Sequence, residues 1–259
     1  MIEFLVFTLC APLASWGEIA VGEMRDSWDR PSRSVVLGFL AGALGLTRDD
    51  QNAHDDLSRG LGVAVRLDVA GVPLVDYHTA QTVAAQTIRR RGLVTRAEQM
   101  AVRERETILS RRSYRQGAVS TVAVWRRGEC TYSLARIAAA IRHPRFVPFA
   151  GRKANALGLP VVPVLLNVES LAEAFLQRER DTRDLPVELF RPRDGWGREV
   201  AHDPCESFGS GLKAPFRRET RRDDAPHRSR WQFAERIVDL GTLPSDGGPS
   251  GTPSPEGAE

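Results

Sequence analysis

Residues 86–117 (QTIRRRGLVTRAEQMAVRERETILSRRSYRQG) hold nine arginines against three acids. They lie between two runs that read as strands, 61–77 before and 119–127 after. Hairpin loops take two to five residues, so a segment of about thirty is an insertion and not a turn. Any sheet built from these strands must carry a long basic arm. Charge alone fits either an arm that holds a polyanion or a solvated, partly disordered surface loop.

The rest of the chain supplies the sheet. Residues 2–10 are β-rich and apolar and read as a central strand, followed by a turn at 11–17. A short apolar run near an N-terminus invites a signal-peptide reading, but a basic n-region is missing and Glu3 is the only early charge. Residues 35–46 (VVLGFLAGALGL) read as a buried helix, with Pro31 at its start and Ser32 and Ser34 as capping groups. Residues 47–58 are acidic and read as a surface segment. Residues 61–77 alternate and are interrupted by a turn or bulge at 71–73. After the arm, 119–125 form a second alternating strand. Residues 133–142 have helical spacing, and 161–168, with Pro163 inside, suit an edge strand.

The order is strand, helix, strand, arm, strand, helix, strand. This βαββαβ pattern is ferredoxin-like and α+β in class. RNA-recognition modules use the same sheet. Residues 1–168 are expected to form that domain, 169–240 an extension packed on its core, and 241–259 a disordered tail. A second basic cluster (Lys213, Arg217, Arg218, Arg221, Arg222, Arg228 and Arg230) falls in the extension without an assigned role.

Composition bounds the chemistry. The 259 residues are 42% hydrophobic and 27% charged, with a net charge of +3. Of 36 basic residues only Lys153 and Lys213 are lysines. Arginine makes planar, bidentate phosphate contacts and stacks on bases. Cys10, Cys130 and Cys205 are odd in number and widely spaced, which suits reduced thiols in a cytosol and no zinc site. No metal, cofactor or membrane-surface helix is indicated.

Two places could carry chemistry. Tyr77 and His78 end the strand before the arm and could supply acid/base groups for RNA cleavage, with Lys153 stabilising a phosphorane. Adjacent strand residues point to opposite faces, which favours a contact or capping role. The loop 142–153 mixes arginines, His143 and two phenylalanines with prolines, and suits single-stranded RNA. There Phe146 and Phe149 are assigned to the core, and Arg145, Arg152 and Lys153 to function. Trp16 is either a core plug or an exposed stacking platform.

Five stretches together resemble the CasD family of subunits of the type I-E CRISPR surveillance complex, Cascade. They are APLASWGE (11–18), RPSRSVVLGFLAGALGLTRDD (30–50), VDYHTAQ (75–81), ETI…RSYRQGAVSTVAVW (106–125) and HPRFVPFAGRKA (143–154). The resemblance implies a ferredoxin-like fold with an inserted thumb at about 78–118, corresponding to the arm. It implies a non-catalytic cytoplasmic subunit that holds the 5′ handle of the crRNA and caps one end of the complex. Implied partners are the backbone subunit CasC, the large subunit CasA and, through the assembled complex, target DNA. In related type I-C systems the corresponding subunit is itself a nuclease, so a metal-independent repeat endoribonuclease is the alternative. By motif, the resemblance places RNA contacts at Ser15, Trp16, Arg33, His78, Arg111, Arg112, Tyr114, Arg115, Arg145, Arg152 and Lys153.

Overall fold

The computed structural model describes residues 1–17, 22–181, 196–227 and 232–244. In chain order they form β1 (Ile2–Ala14), β2 (Trp16–Gly17), β3 (Met24–Arg25), β4 (Ser27–Trp28), α1 (Arg33–Leu44), α2 (Gln51–Gly60), β5 (Leu61–Val69) and β6 (Val72–Thr82). There follow α3 (Ala85–Arg91), α4 (Arg96–Ala101), β7 (Glu106–Arg126), α5 (Leu134–Arg142), β8 (Val164–Val168), α6 (Leu171–Asp181), β9 (Glu199–His202), β10 (Lys213–His227) and β11 (Gln232–Thr242). The architecture is mixed α+β around one large sheet in the order β10-β11-β9-β5-β7-β1-β8. Neighbours along that order are all antiparallel. No helix among the described residues is long and apolar enough to cross a membrane.

β1 is apolar on both faces because both faces are covered. Leu5, Phe7, Leu9 and Ala11 pack with α1 and α5, while Phe4 and Val6 pack with Leu171 and Phe175 of α6. The strand does not turn at 11–17 as the Pro and Gly suggest. It runs on to Ala14, which pairs with Arg115. α1 starts where the capping residues place it: the Ser32 hydroxyl accepts from the Val35 amide, and Gly45 closes the helix at φ 83°. α5 buries Leu134, Ile137, Ala138 and Ile141, the i, i+3, i+4, i+7 face. The acidic segment 47–58 is not a plain surface loop. Asp50 accepts from the Thr47 amide and hydroxyl at 2.7 and 2.8 Å, and α2 follows with Leu57 buried. Pro163 stands just before β8 and not within it.

The basic arm is ordered structure. β7 is 21 residues long. Its second half pairs with β1 and β5 in the core. Its first half pairs with β6 from Val72↔Gln116 to Thr82↔Glu106. This ribbon of eleven pairs extends about 34 Å, at about 3.4 Å per residue, and α3 and α4 connect its far ends. The chain leaves the core at Gly71, where φ is +69° and a Cβ would sit 2.7 Å from the Gln116 carbonyl oxygen. The root of the arm is therefore Gly71, not His78, which lies mid-ribbon opposite Ser110.

In the C-terminal extension α6 lies on the core sheet through Leu171 and Phe175. β9, β10 and β11 continue the sheet past β5. The expected tail begins too early, since Gly241 and Thr242 belong to β11 and Leu243 is buried; residues 245–259 lie outside the described residues.

These strands are pinned by buried charge. Asp203 accepts from Arg33 Nε at 2.9 Å, Arg236 Nη1 at 2.8 Å and the Val63 amide at 3.0 Å. Asp223 takes a fork from Arg236 at 2.6 and 3.0 Å and the Arg33 amide at 2.9 Å. The Arg33 side chain also reaches Ser58, Leu61 and Asp224. Arg33 is only 3% exposed, so its guanidinium is occupied inside the fold and does not face an RNA as expected.

Removing Asp203 leaves two guanidinium groups without their shared acceptor. Asp203→Ala is expected to cost about 3–5 kcal/mol in urea unfolding at neutral pH. Arg218→Ala, at the exposed Arg218–Asp239 pair, is expected to leave the midpoint nearly unchanged. Equal losses would contradict this assignment.

Candidate nucleic-acid interface

The site begins where β1 ends. Ser15 donates its amide to the Ala150 carbonyl at 3.1 Å and its hydroxyl to the Ser113 carbonyl at 3.2 Å. This clamps the loop after α5 against the root of the ribbon. The clamp demands glycine at 151: φ is +83°, and a Cβ there would fall 1.8 Å from the Ser15 carbonyl oxygen. Asn155 closes the loop on itself, donating Nδ2 to the Ala150 carbonyl at 3.2 Å.

The clamp sets three arginines against rings and carbonyls. Arg152 lies over the Tyr114 ring at 4.5 Å and donates to the Arg25 carbonyl at 3.1 Å. Arg115 Nε donates to the Trp28 carbonyl at 3.2 Å. Arg221, from β10, sits over the Trp28 ring at 3.6 Å. Between them is a cleft of about 400 Å³, within the range of small-ligand pockets, ~300–1,000 Å³. Arg152, Arg221 and Arg222 line it, with Trp28 and Phe233 as aromatic walls and Asp223 as its one carboxylate. Arg152 Nη1 and Arg221 Nε are buried without a hydrogen-bond partner. Nearby, burial works to raise the Asp29 carboxyl. The hydrogen bonds and charge of Arg30, with Arg221 and Arg115, outweigh it and hold the group below its usual range.

Ser15, Tyr114, Arg115 and Arg152 of the expected contacts come together here, and Lys153 is exposed beside Arg152. Arg111 and Arg112 stand further along the ribbon, where β3 pairs with β7. Trp16 is 1% exposed and belongs to the core; the ring at the cleft is that of its cross-strand partner Trp28. Arg145 packs on Gly45 at the end of α1 and does not line the cleft. His78 pairs with Asp76 on β6. Phe146 and Phe149, assigned to the core, are 44% and 38% exposed.

Trp28, Arg221, Arg222 and Phe233 were not singled out as site residues. Their common place depends on β10 and β11 joining the sheet, which local pattern does not announce. Of the second basic cluster, Arg217 and Arg218 are tied to Glu199 and Asp239, while Arg228 and Arg230 lie outside the described residues. Among the described residues no group of three or more His, Cys, Asp or Glu is placed to hold a metal ion.

A family model described as CRISPR-associated protein (Cas_Cas5) matches residues 4–239. The CRISPR system Cascade subunit CasD of Escherichia coli (strain K12) is 30% identical over 169 residues, 62% of this chain and 70% of that one. A chain of a solved CRISPR RNA-guided surveillance complex superposes with a TM-score of 0.57 at 25% identity, covering 93% of this chain and 90% of its own. A second, solved as the crystal structure of a Cas protein, shares the fold at a TM-score of 0.55 and 24% identity, covering 93% and 95%.

The clamp at Gly151 can be separated from generic glycine strain. Gly117 also has positive φ, +70°, but open space around it. Gly117→Ala is expected to cost about 1 kcal/mol through φ alone. Gly151→Ala should cost more and should also speed amide exchange at Ser15 and Asn155. Indistinguishable effects would remove the clamp from the account.

Proposed function

The chain belongs to the CRISPR-associated protein (Cas_Cas5) family, and from that premise we propose that it is a non-catalytic crRNA-binding subunit of a type I-E Cascade complex. It holds the 5′ handle of the guide RNA, caps one end of the assembly in the cytosol and contacts the backbone subunit CasC and the large subunit CasA. Target DNA reaches it through the assembled complex. The observation that carries this reading is the cleft beside the ribbon root, where three arginines meet two half-buried aromatic walls. Cations neutralise phosphates and rings stack unpaired bases, the combination used for single strands.

The sheet order supports the finer fold assignment. β5-β7-β1-β8, with α1 and α5 as the crossovers, corresponds to a ferredoxin-like (RRM-like) βαββαβ core. The β6/β7 ribbon is then an insertion between its second and third strands, in the place of a thumb that crosses the guide.

The geometry around Tyr77, His78 and Lys153 favours a non-catalytic role. Tyr77 and His78 are consecutive on β6, so their side chains leave opposite faces. Lys153 follows Arg152, which stacks on Tyr114. Ser110, the partner of His78, lies four residues along β7 from Tyr114, about 13 Å away at about 3.3 Å per residue. The three groups do not converge on one phosphate.

Affinity for handle RNA is expected to fall steeply as salt rises, with a log–log slope of about −0.7 per phosphate neutralised. Arg115→Ala and Arg152→Ala should each flatten that slope by about one contact, and a flat dependence in the unaltered chain would sink the reading. Incubated with CRISPR repeat RNA in EDTA, the chain should leave it intact. Sequence-specific cleavage abolished by His78→Ala would instead establish the endoribonuclease.

A further inference from the structure

The cleft carries a feature that phosphate binding does not need. Its lining combines Arg152, Arg221 and Arg222 with one carboxylate, Asp223. A carboxylate beside a phosphate site would repel the phosphate, so the anionic part of a bound nucleotide belongs at the arginines. What faces Asp223 must be something that donates.

Asp223 is held in place with little freedom to turn away. Arg236 takes both its oxygens in a fork, at 2.6 Å to Oδ1 and 3.0 Å to Oδ2. Oδ2 also accepts the Arg33 amide at 2.9 Å. A carboxylate oxygen has two acceptor sites. Oδ2 has used both, and Oδ1 has used one. Oδ1 therefore keeps one acceptor position without a partner, and the side chain, 13% accessible, is among those that line the cleft. An ionised carboxylate only accepts, so that position takes an N–H or O–H and disfavours a carbonyl.

Arg221 is fixed in the wall of the cleft, donating Nη2 to Glu219 at 3.0 Å. Its guanidinium lies on the Trp28 ring at 3.6 Å, directly before Arg222 and Asp223 in β10. A base entering the cleft would turn its edge to Asp223 and its phosphate to Arg152 and Arg222, the arginines of the lining. The hydroxyls of Ser32 and Ser34, 3.1 Å apart, also line this wall and can donate or accept, so they do not discriminate.

We propose that the cleft reads one unpaired base of the bound RNA and selects an amino group at pyrimidine C4 or purine C6, with Asp223 as the specificity-determining residue. Cytosine and adenine satisfy Oδ1. Uracil at the same place sets a carbonyl oxygen against it. The inference rests on the RNA-binding reading above and adds a base preference to it.

The test uses the full chain and two labelled RNA octamers, oligocytidylate and oligouridylate, in fluorescence polarisation at low salt. The two differ at each base only in amino against oxo at C4 and in the ring proton that goes with it. Cytidylate is expected to bind about tenfold more tightly, the lower part of the range for a specific base-edge contact. Asp223→Asn offers an N–H as well as an acceptor and should bring the two within about twofold. Asp223→Glu, which keeps an acceptor-only group, should retain the preference. Equal affinities for the two octamers on the unaltered chain overturn the base preference while leaving RNA binding intact. Failure to bind either octamer overturns the RNA-binding reading and this inference with it. A preference that survives in folded Asp223→Asn removes Asp223 from the role. Should that variant not fold, the comparison on the unaltered chain still decides whether the preference exists.

Discussion

The buried pair of Arg33 and Asp203 holds the two halves of the chain together. A buried ion pair is stabilising only when its remaining donors and acceptors are met, because desolvation of both charges is costly. Here they are met. Asp203 is shared by two arginines and a backbone amide, and Arg33 reaches two backbone carbonyls, the Ser58 hydroxyl and Asp224 as well. Arg33 opens α1, Asp203 follows β9, and Arg236 and Asp223 lie on β11 and β10. The network therefore seats the two outermost strands beside the start of the first helix. Arg221, Arg222 and Asp223 reach the cleft because of it. The cleft wall contributed by the C-terminal strands thus depends on a contact formed deep inside the fold.

β7 does the corresponding work for the ribbon. Its pairing with β1 keeps one register from Phe4↔Trp125 to Ala14↔Arg115, so the core half and the exposed half are one continuous strand. Tyr114 and Arg115 are consequently held against Arg152 and Trp28, two residues that line the cleft, by the same hydrogen-bond ladder that builds the core. The far end of the ribbon is a different environment. α3 and α4 there carry Arg89, Arg90, Arg91 and Arg96, with a capping box at Thr95 and Glu98 fixing the second helix. The arginine-rich segment is thus split into a tip and a root about 34 Å apart, and the root touches the cleft wall through Tyr114 on Arg152 and Arg115 on Trp28.

What could be read from the sequence follows the range of the interactions involved. β1, α1 with its Ser32 cap and α5 are set by local periodicity and capping, and the chain displays both directly. Tyr114 and Arg115 on one side and Arg152 on the other could each be named from a local motif, but that they meet is visible only in the fold. The misses have long-range causes. Arg33 looks like any surface arginine until Asp203, 170 residues on, is brought to it. Trp16 and Trp28 are equivalent as letters, and only the packing of the fold decides which ring is buried. β10 (KAPFRRETRRDDAPH) has the charge of a loop. It is a strand because it is the outermost one, where charges and register shifts are tolerated and guard the free edge. The ribbon root was misplaced because 61–77 reads as one interrupted strand, whereas Gly71 is where the chain passes from core to ribbon.

The central claim is that guide RNA lies in the cleft at the ribbon root. Ultraviolet crosslinking of the chain to handle RNA, with the attached peptides identified by mass spectrometry, addresses it directly. The account predicts crosslinks at Trp28, Tyr114 or Phe233, from three separate parts of the sequence that only this fold brings together. Crosslinks confined to the ribbon tip, residues 85–105, with none at these rings, would contradict it.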